Sequence, residues 1–224
     1  QDVLEKGNDY GKADSTSQKV MVEYTDQNPF KELHIGHLYS NTIGESISRL
    51  FESEGAIVAR AIYQGDIGLH VAKAVWGMKE LFKKESTLKE VEKKDPNERV
   101  TFLGKAYALG AGKYEKSKKA KQEIIKINQQ IFAGDPAIMD LYKAGRRWSL
   151  EDFERIYRRL GTKFDFYYLE SDVGEAGLDL VKENLEKGVF QESEGAVIFP
   201  GEKFGLHNRV FVNSLGLHTY EAKE

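Results

Sequence analysis

The strongest constraint on this chain lies between Lys19 and Gly55. An apolar run, Val20-Met21-Val22-Glu23-Tyr24, is followed by the polar turn Thr25-Asp26-Gln27-Asn28-Pro29. Beyond it Ile35, Leu38, Ile43, Ile47, Leu50 and Phe51 recur mostly at helical spacing. The order is strand, loop, helix. Gly55 supplies a helix stop, and Ala56 to Tyr63 form a second apolar run short enough for a buried parallel strand. Such a strand–helix–strand unit is expected to be right-handed, with its ligand crevice beyond the carboxyl ends of the strands.

His34-Ile35-Gly36-His37 falls at the first turn of that helix. Unpaired backbone N–H groups and the positive end of the helix dipole favour an anion there, so a phosphate is the natural ligand. Histidines three residues apart share a face and can both reach it, while Gly36 puts no side chain in the way of a flat ring. Two blander readings stand beside this one: surface histidines near a helix start, or half of a metal site. The metal reading is weak, because the chain has no cysteine and His70, His207 and His218 stand alone without ligand spacing.

With 224 residues, 40% hydrophobic and 31% charged, the chain can bury a substantial core. A formal net charge of −3 does not announce a nucleic-acid binder, so any such contact must come from local patches. The lack of cysteine suits a reducing compartment, and a cytoplasmic location is expected. There is no signal peptide or long apolar run, hence no expected membrane contact. The chain begins at Gln1 without a methionine and reads as a piece of something longer.

The stretch from Glu23 to Leu38 resembles the signature of class I aminoacyl-tRNA synthetases, most closely the arginyl enzymes. Glu23, Asn28, Lys31 and His34 keep the family spacing of strand-end acid, asparagine, lysine and histidine motif, while Asp26 and Gln27 replace a small hydroxyl residue and a proline. Gly65-Asp66-Ile67-Gly68, alone an ordinary tight turn, is similar to the family's Gly-Asp-aromatic-Gly turn; His70 stands where glutamine is common. A second match runs from Trp148 through Ser149-Leu150, Phe153, Tyr157, Leu160-Gly161 and Phe164-Asp165. Tyr220 and Glu224 resemble the family's tyrosine and the acid four residues later, with glutamate replacing aspartate.

The remaining chain is punctuated clearly. Residues 1–17 read as a loop or the tail of a missing upstream domain, and residues 18–80 as the first half of the class I nucleotide-binding domain. Residues 81–162 read as a helical insertion, and residues 163–224 as a continuation of the catalytic region, truncated before its second half. The predicted fold class is α/β, a Rossmann-like parallel-sheet nucleotide-binding half with a largely helical insertion and short strands. Val71, Val75, Met78, Phe102, Ala106, Leu109, Ile124, Ile125, Ile127 and Ile131 form core stripes. Gly110-Ala111-Gly112-Lys113 has the wrong spacing for a phosphate loop. Lys113, Lys116, Lys118, Lys119 and Lys121 read as a solvated helix face, with an acceptor-stem contact as the sharper alternative. Arg146, Arg147, Arg155, Arg158 and Arg159 are equally open. Ser149, with an acid three residues on, predicts the start of a new helix that ends near Gly161. A strand at Phe164–Tyr168, a helix at Leu178–Leu185 and short strands at Val189–Phe190, Ala196–Phe199 and Val210–Val212 follow.

The resemblance implies adenylation of arginine by ATP and transfer to tRNA(Arg). It makes His34, His37 and Lys31 catalytic, the two histidines meeting the phosphate charge at the helix start and Lys31 adding a cation, and lets adenine approach over Gly36. It places Glu23, Asn28, His34, Tyr220 and Glu224 around arginine, the two acids meeting the guanidinium. Mg2+ accompanies ATP, with no protein ligand assigned. A monomer is expected, and the 224-residue chain alone is expected to be weakly active or inactive. A nucleotidyltransferase outside translation and a non-catalytic nucleotide- or tRNA-binding module are the alternatives.

Overall fold

The computed structural model describes residues 1–83 and 86–223, in two compact units, residues 1–168 and 169–224. The first unit opens with a five-residue helix α1 (Asp2–Lys6) and a 3-10 turn at Gly7–Asp9. A loop was the expectation for this stretch. Acids in its first turn and Lys6 in its last favour the local helix, which buries nothing.

The strand–helix–strand unit follows as β1 (Lys19–Glu23), α2 (Ile35–Ser53) and β2 (Ile57–Gln64). β1 and β2 pair in parallel, Lys19 opposite Ile57 through Glu23 opposite Ala61, and β3 (Phe166–Leu169) lies on the other side of β2. β1 is therefore an edge of this sheet. The apolar residues whose spacing predicts α2 are not the ones it buries. Asn41, Gly44 and Ser48 face inward, and Ile35, Leu38, Ile43, Ile47, Leu50 and Phe51 are exposed. The Tyr24 ring selects this face: a Cβ on Gly44 would lie 2.1 Å from Tyr24 Cγ, so only glycine admits the ring. The same tyrosine joins Ile62, Phe153, Tyr157 and Phe164 in one core cluster.

The helical part comprises α3 (Leu69–Phe82), α4 (Leu88–Glu92), α5 (Pro96–Lys116), α6 (Lys118–Phe132) and α7 (Pro136–Leu160). Pro96 opens α5 at a position where its missing N–H is harmless, and Asp95 caps that helix. Val71, Val75, Met78, Phe102, Ala106, Ile124, Ile127 and Ile131 are buried in one continuous core. Gly110 is a packing seat, since a Cβ there would strike the Lys73 carbonyl. α7 runs unbroken for 25 residues, so Ser149 does not begin a helix. Its hydroxyl instead donates to the Gly145 carbonyl at 2.9 Å, the bond of a serine inside a helix. Gly161, at φ 72°, ends α7 as expected.

The second unit holds α8 (Glu170–Glu186), an antiparallel sheet of β4 (Gln191–Ser193), β5 (Ala196–Phe199) and β6 (Arg209–Val212), and α9 (Tyr220–Lys223). α8 starts eight residues before its predicted onset, at Glu170, whose carboxylate is buried against Lys223 Nζ at 2.6 Å. Val181, Val212 and Ala222 form this unit's core. Among the described residues no helix is long and apolar enough to cross a membrane.

Candidate active site

The loop that follows β1 carries three non-glycine residues in the left-handed region: Thr25 at φ 81°, Asp26 at φ 47° and Phe30 at φ 67°. Such a backbone persists only where its surroundings over-determine it. Thr25 N–H donates to Ser40 Oγ at 3.1 Å, and Asn41 Nδ2 donates to Thr25 Oγ1 at 3.0 Å. Asp26 and Asn28 reach across to the end of β2, accepting from the N–H groups of Tyr63 and Gly65 at 3.0 and 2.9 Å. Phe30 drives a ring into the helical core, against a Gly145 that has no room for a Cβ, and its N–H donates to Ser149 Oγ at 2.9 Å. Asn28 thus spends its carbonyl on the fold, which leaves its NH2 as the group able to meet a carboxylate.

His34 is the N-cap of α2. Its Nδ1 accepts from Gly36 N–H at 3.1 Å, and His37 Nδ1 accepts from His34 N–H at 3.2 Å. The rings stack with centroids 3.9 Å apart. Because both Nδ1 atoms accept, the proton of each neutral ring sits on Nε2, which leaves two N–H donors for a ligand. This corrects one detail of the anion site. Two backbone N–H groups at this helix start are taken by the histidines themselves, so the imidazole N–H groups carry the donor role. Burial first, then the nearby His34 and Lys31, hold His37 below its ordinary value and favour the neutral donor form. Over Gly36 the space is filled by His34: a Cβ would stand 2.9 Å from its Cε1.

Lys31 lies on the same loop, its Nζ 5.5 Å from the centre of the Tyr107 ring. Glu23 is exposed at the end of β1. His34, Gly36 and His37 lie together at one helix start, and Asn28 and Lys31 are in the loop that leads to it. Tyr220 begins α9 in the second unit and is half exposed. Glu224 lies outside the described residues.

In the turn after β2, which resembles the family's Gly-Asp-aromatic-Gly turn, the partners of the acid were not legible in the sequence. Asp66 is fully buried, and its Oδ2 accepts from Arg146 Nε at 2.6 Å and from the Tyr142 hydroxyl at 3.3 Å. His70 Nε2 lies 2.8 Å from the Gly65 carbonyl oxygen, and Gly68, at φ 121°, starts α3. Arg146 therefore belongs to the fold. Arg147 pairs with Glu92 and Arg155 with Asp152, which gives those arginines structural partners as well.

Behind the histidines α2 is tied to β2 by charge. Arg60 contacts Glu45 at 3.0 Å and Glu52 at 2.6 Å, and the Tyr24 hydroxyl donates to Glu45 at 2.6 Å. Burial works to raise the Glu45 carboxyl, but the bonds from Tyr24, Arg60 and Arg49 outweigh it and hold it below the usual range. The helix that bears the histidines is thus held by a hydrogen-bonded charge network rather than an apolar face.

The arrangement offers neutral ring N–H donors at a helix start and one ammonium in the loop before it, groups whose chemistry suits an anion. The family model of the class I tRNA synthetase (R) catalytic domain matches residues 1–224. Among curated relatives, the arginine–tRNA ligase of Flavobacterium psychrophilum is 30% identical over 218 residues, covering 92% of this chain and 36% of that protein. That of Treponema denticola is 31% identical over 226 residues, covering 99% of this chain and 38% of that protein. The arginyl-tRNA synthetase structures of Plasmodium falciparum and Thermus thermophilus each align with a TM-score of 0.65 at 22% identity. They cover 93% and 95% of this chain, and 34% and 35% of theirs, so the likeness is one of fold. The chain thus spans a little over a third of the length of these two curated relatives. It belongs to the class I (R) tRNA synthetase family, whose catalytic domain its whole length matches.

Proposed function

We propose that this chain provides the first part of the catalytic apparatus of an arginine–tRNA ligase, working in the cytoplasm as a monomer on arginine, ATP and tRNA(Arg). The observation that carries the reading is the stacked pair His34–His37 at the start of α2, both Nδ1 atoms engaged and both Nε2 atoms left to donate. In the reaction the arginine carboxylate attacks the α-phosphate of ATP and pyrophosphate leaves. The tRNA terminal hydroxyl then takes the arginyl group and releases AMP. Little covalent chemistry is asked of the protein, and positioning with electrostatic stabilisation carries the step.

His34 and His37 donate to phosphate oxygens and Lys31 adds a cation. The Asn28 NH2 holds the amino-acid carboxylate. Glu23 meets the guanidinium, a group suited to a carboxylate. Gly36 serves adenine only after the His34 ring has turned aside, since that ring fills the space above it. Among the described residues no three His, Asp or Glu side chains are placed together to hold a metal ion, so no step is assigned to Mg2+ beyond its arrival with ATP. Residues 18–80 supply the first half of the nucleotide-binding domain, residues 81–162 its insertion, and residues 163–224 its continuation.

Arginine-dependent ATP–pyrophosphate exchange tests the reading, with and without tRNA(Arg), on this chain and on a version extended to the relatives' length. Exchange in the extended protein that disappears on changing His34 or His37 is the expected result, with weak or no exchange in the 224-residue chain. Folded, ATP-binding protein without exchange in either form would overturn it in favour of a binding module.

A further inference from the structure

Lys31 is the one lysine of the candidate site, and its position is not set by the usual means. No carboxylate lies within ion-pair distance of it among the described residues. A lysine head on a flexible four-carbon stem is otherwise free to sweep through solvent. What it meets is the face of Tyr107, on α5, with Nζ 5.5 Å from the ring centre.

The neighbouring residues make this contact a consequence of the fold. Phe30 is locked into the core by its ring and by its bond to Ser149. Glu32 is seated on α5 where Gly104 leaves room: a Cβ there would lie 2.2 Å from Glu32 Oε1. Gly104 and Tyr107 are three residues apart on α5 and share a face. Three consecutive loop residues, Phe30, Lys31 and Glu32, are thus each fastened to the helical part of the unit. The ammonium so held remains close enough to His37 to disfavour a proton on that ring.

A carboxylate in place of Tyr107 would also hold Lys31, but it would neutralise the charge an anion needs. An aromatic face attracts an ammonium through its quadrupole and leaves the full positive charge in place. We propose that Tyr107 is a positioning residue: its ring holds the Lys31 ammonium, in the loop that leads to His34 and His37, without quenching it, so the helical segment sets where the cation of the anion site stands. This rests on the reading of Lys31 and the two histidines as a phosphate site.

Inorganic triphosphate, titrated calorimetrically into the 224-residue chain, supplies the probe. Tyr107→Leu is expected to weaken binding about fivefold, Tyr107→Phe to retain it, and the Lys31 ε-CH2 protons to lose an upfield ring-current shift only in the leucine variant. Because the leucine variant could lose its fold, a second series places phenylalanines of increasing fluorination at position 107. Fluorine drains electron density from the ring at nearly constant size, so affinity falling stepwise with fluorination supports a cation–π role that a purely structural tyrosine would not show. Affinity flat across that series, while Lys31→Ala weakens binding, would overturn the role of Tyr107 and leave the phosphate site standing. Absence of triphosphate binding, or binding unchanged in Lys31→Ala, would remove the phosphate site and this inference with it.

Discussion

The Phe30 N–H donates to Ser149 Oγ at 2.9 Å across 119 residues of chain, and the same hydroxyl donates onward to Gly145. One buried serine thereby fixes a loop residue held at φ 67°. Ser149→Ala leaves the Phe30 N–H buried without a partner, at a cost of about 2 kcal/mol. Urea denaturation should report that loss as a lower midpoint at unchanged slope.

A related prediction concerns the seat beside that bond. A Cβ on Gly145 would stand 2.2 Å from Phe30 Cε1, inside the core, where the ring cannot retreat without leaving its packing. Gly145→Ala is expected to destabilise by about 2 kcal/mol despite its better helix propensity. A rise in thermal midpoint would show that the ring has another place to go.

These two residues also mark where sequence reading stops. The strand, the helix start at His34 and the second strand were legible because each is announced locally, by apolar period, polar turn and glycine stop. Ser149 with an acid three residues on carries the same local signal as an N-cap, yet it lies inside α7 because the helix continues to bury Trp148, Phe153 and Tyr157. The inward face of α2 was invisible for a different reason. Gly44 is buried under the Tyr24 ring, a long-range fact with no period. At the candidate site the grouping of His34, Gly36 and His37 was legible. The use of both Nδ1 atoms by backbone N–H groups, and the ring beneath Lys31, were not.

The buried pair of Asp66 and Arg146 gives a third prediction. Asp66 is fully buried, so Arg146→Met leaves its charge with the Tyr142 hydroxyl and without the guanidinium. A loss of about 3 kcal/mol is expected, since removing one partner strands the other charge. Asp66→Asn combined with Arg146→Met should recover part of it, and a double-mutant cycle by chemical denaturation measures the coupling.

His37 sets a pH dependence. Its ionisation is lowered in the folded chain by burial and by the charges of His34 and Lys31, while in the unfolded chain it returns to the ordinary histidine value near 6.5. The unfolded state therefore binds the proton more readily, and the stability this ring contributes is complete above about pH 6.5 and lost as pH falls through the folded value. Histidine NMR should show a midpoint below 6.5, a proton on Nε2 above it, and an upward shift in Lys31→Ala. Added phosphate should also raise the midpoint, because an anion at Nε2 favours the charged ring.

The outward stripe of α2 makes the last prediction. Ile35 and Leu50 are 78% and 65% exposed, and Leu38, Ile43, Ile47 and Phe51 line the helix with them. Contiguous apolar surface of this kind binds hydrophobic dyes and promotes association. A charge placed on it meets no packed neighbour, so Ile47→Glu and Leu50→Glu should reduce dye binding and concentration-dependent light scattering while shifting stability by no more than about 0.5 kcal/mol. A large drop in stability would instead mean that the stripe is packed within the folded chain. The charge network of Glu45, Arg60 and Glu52, on which the helix rests, is untouched by either change. That network explains how α2 can hold His34 and His37 in place while turning its apolar side away from the core.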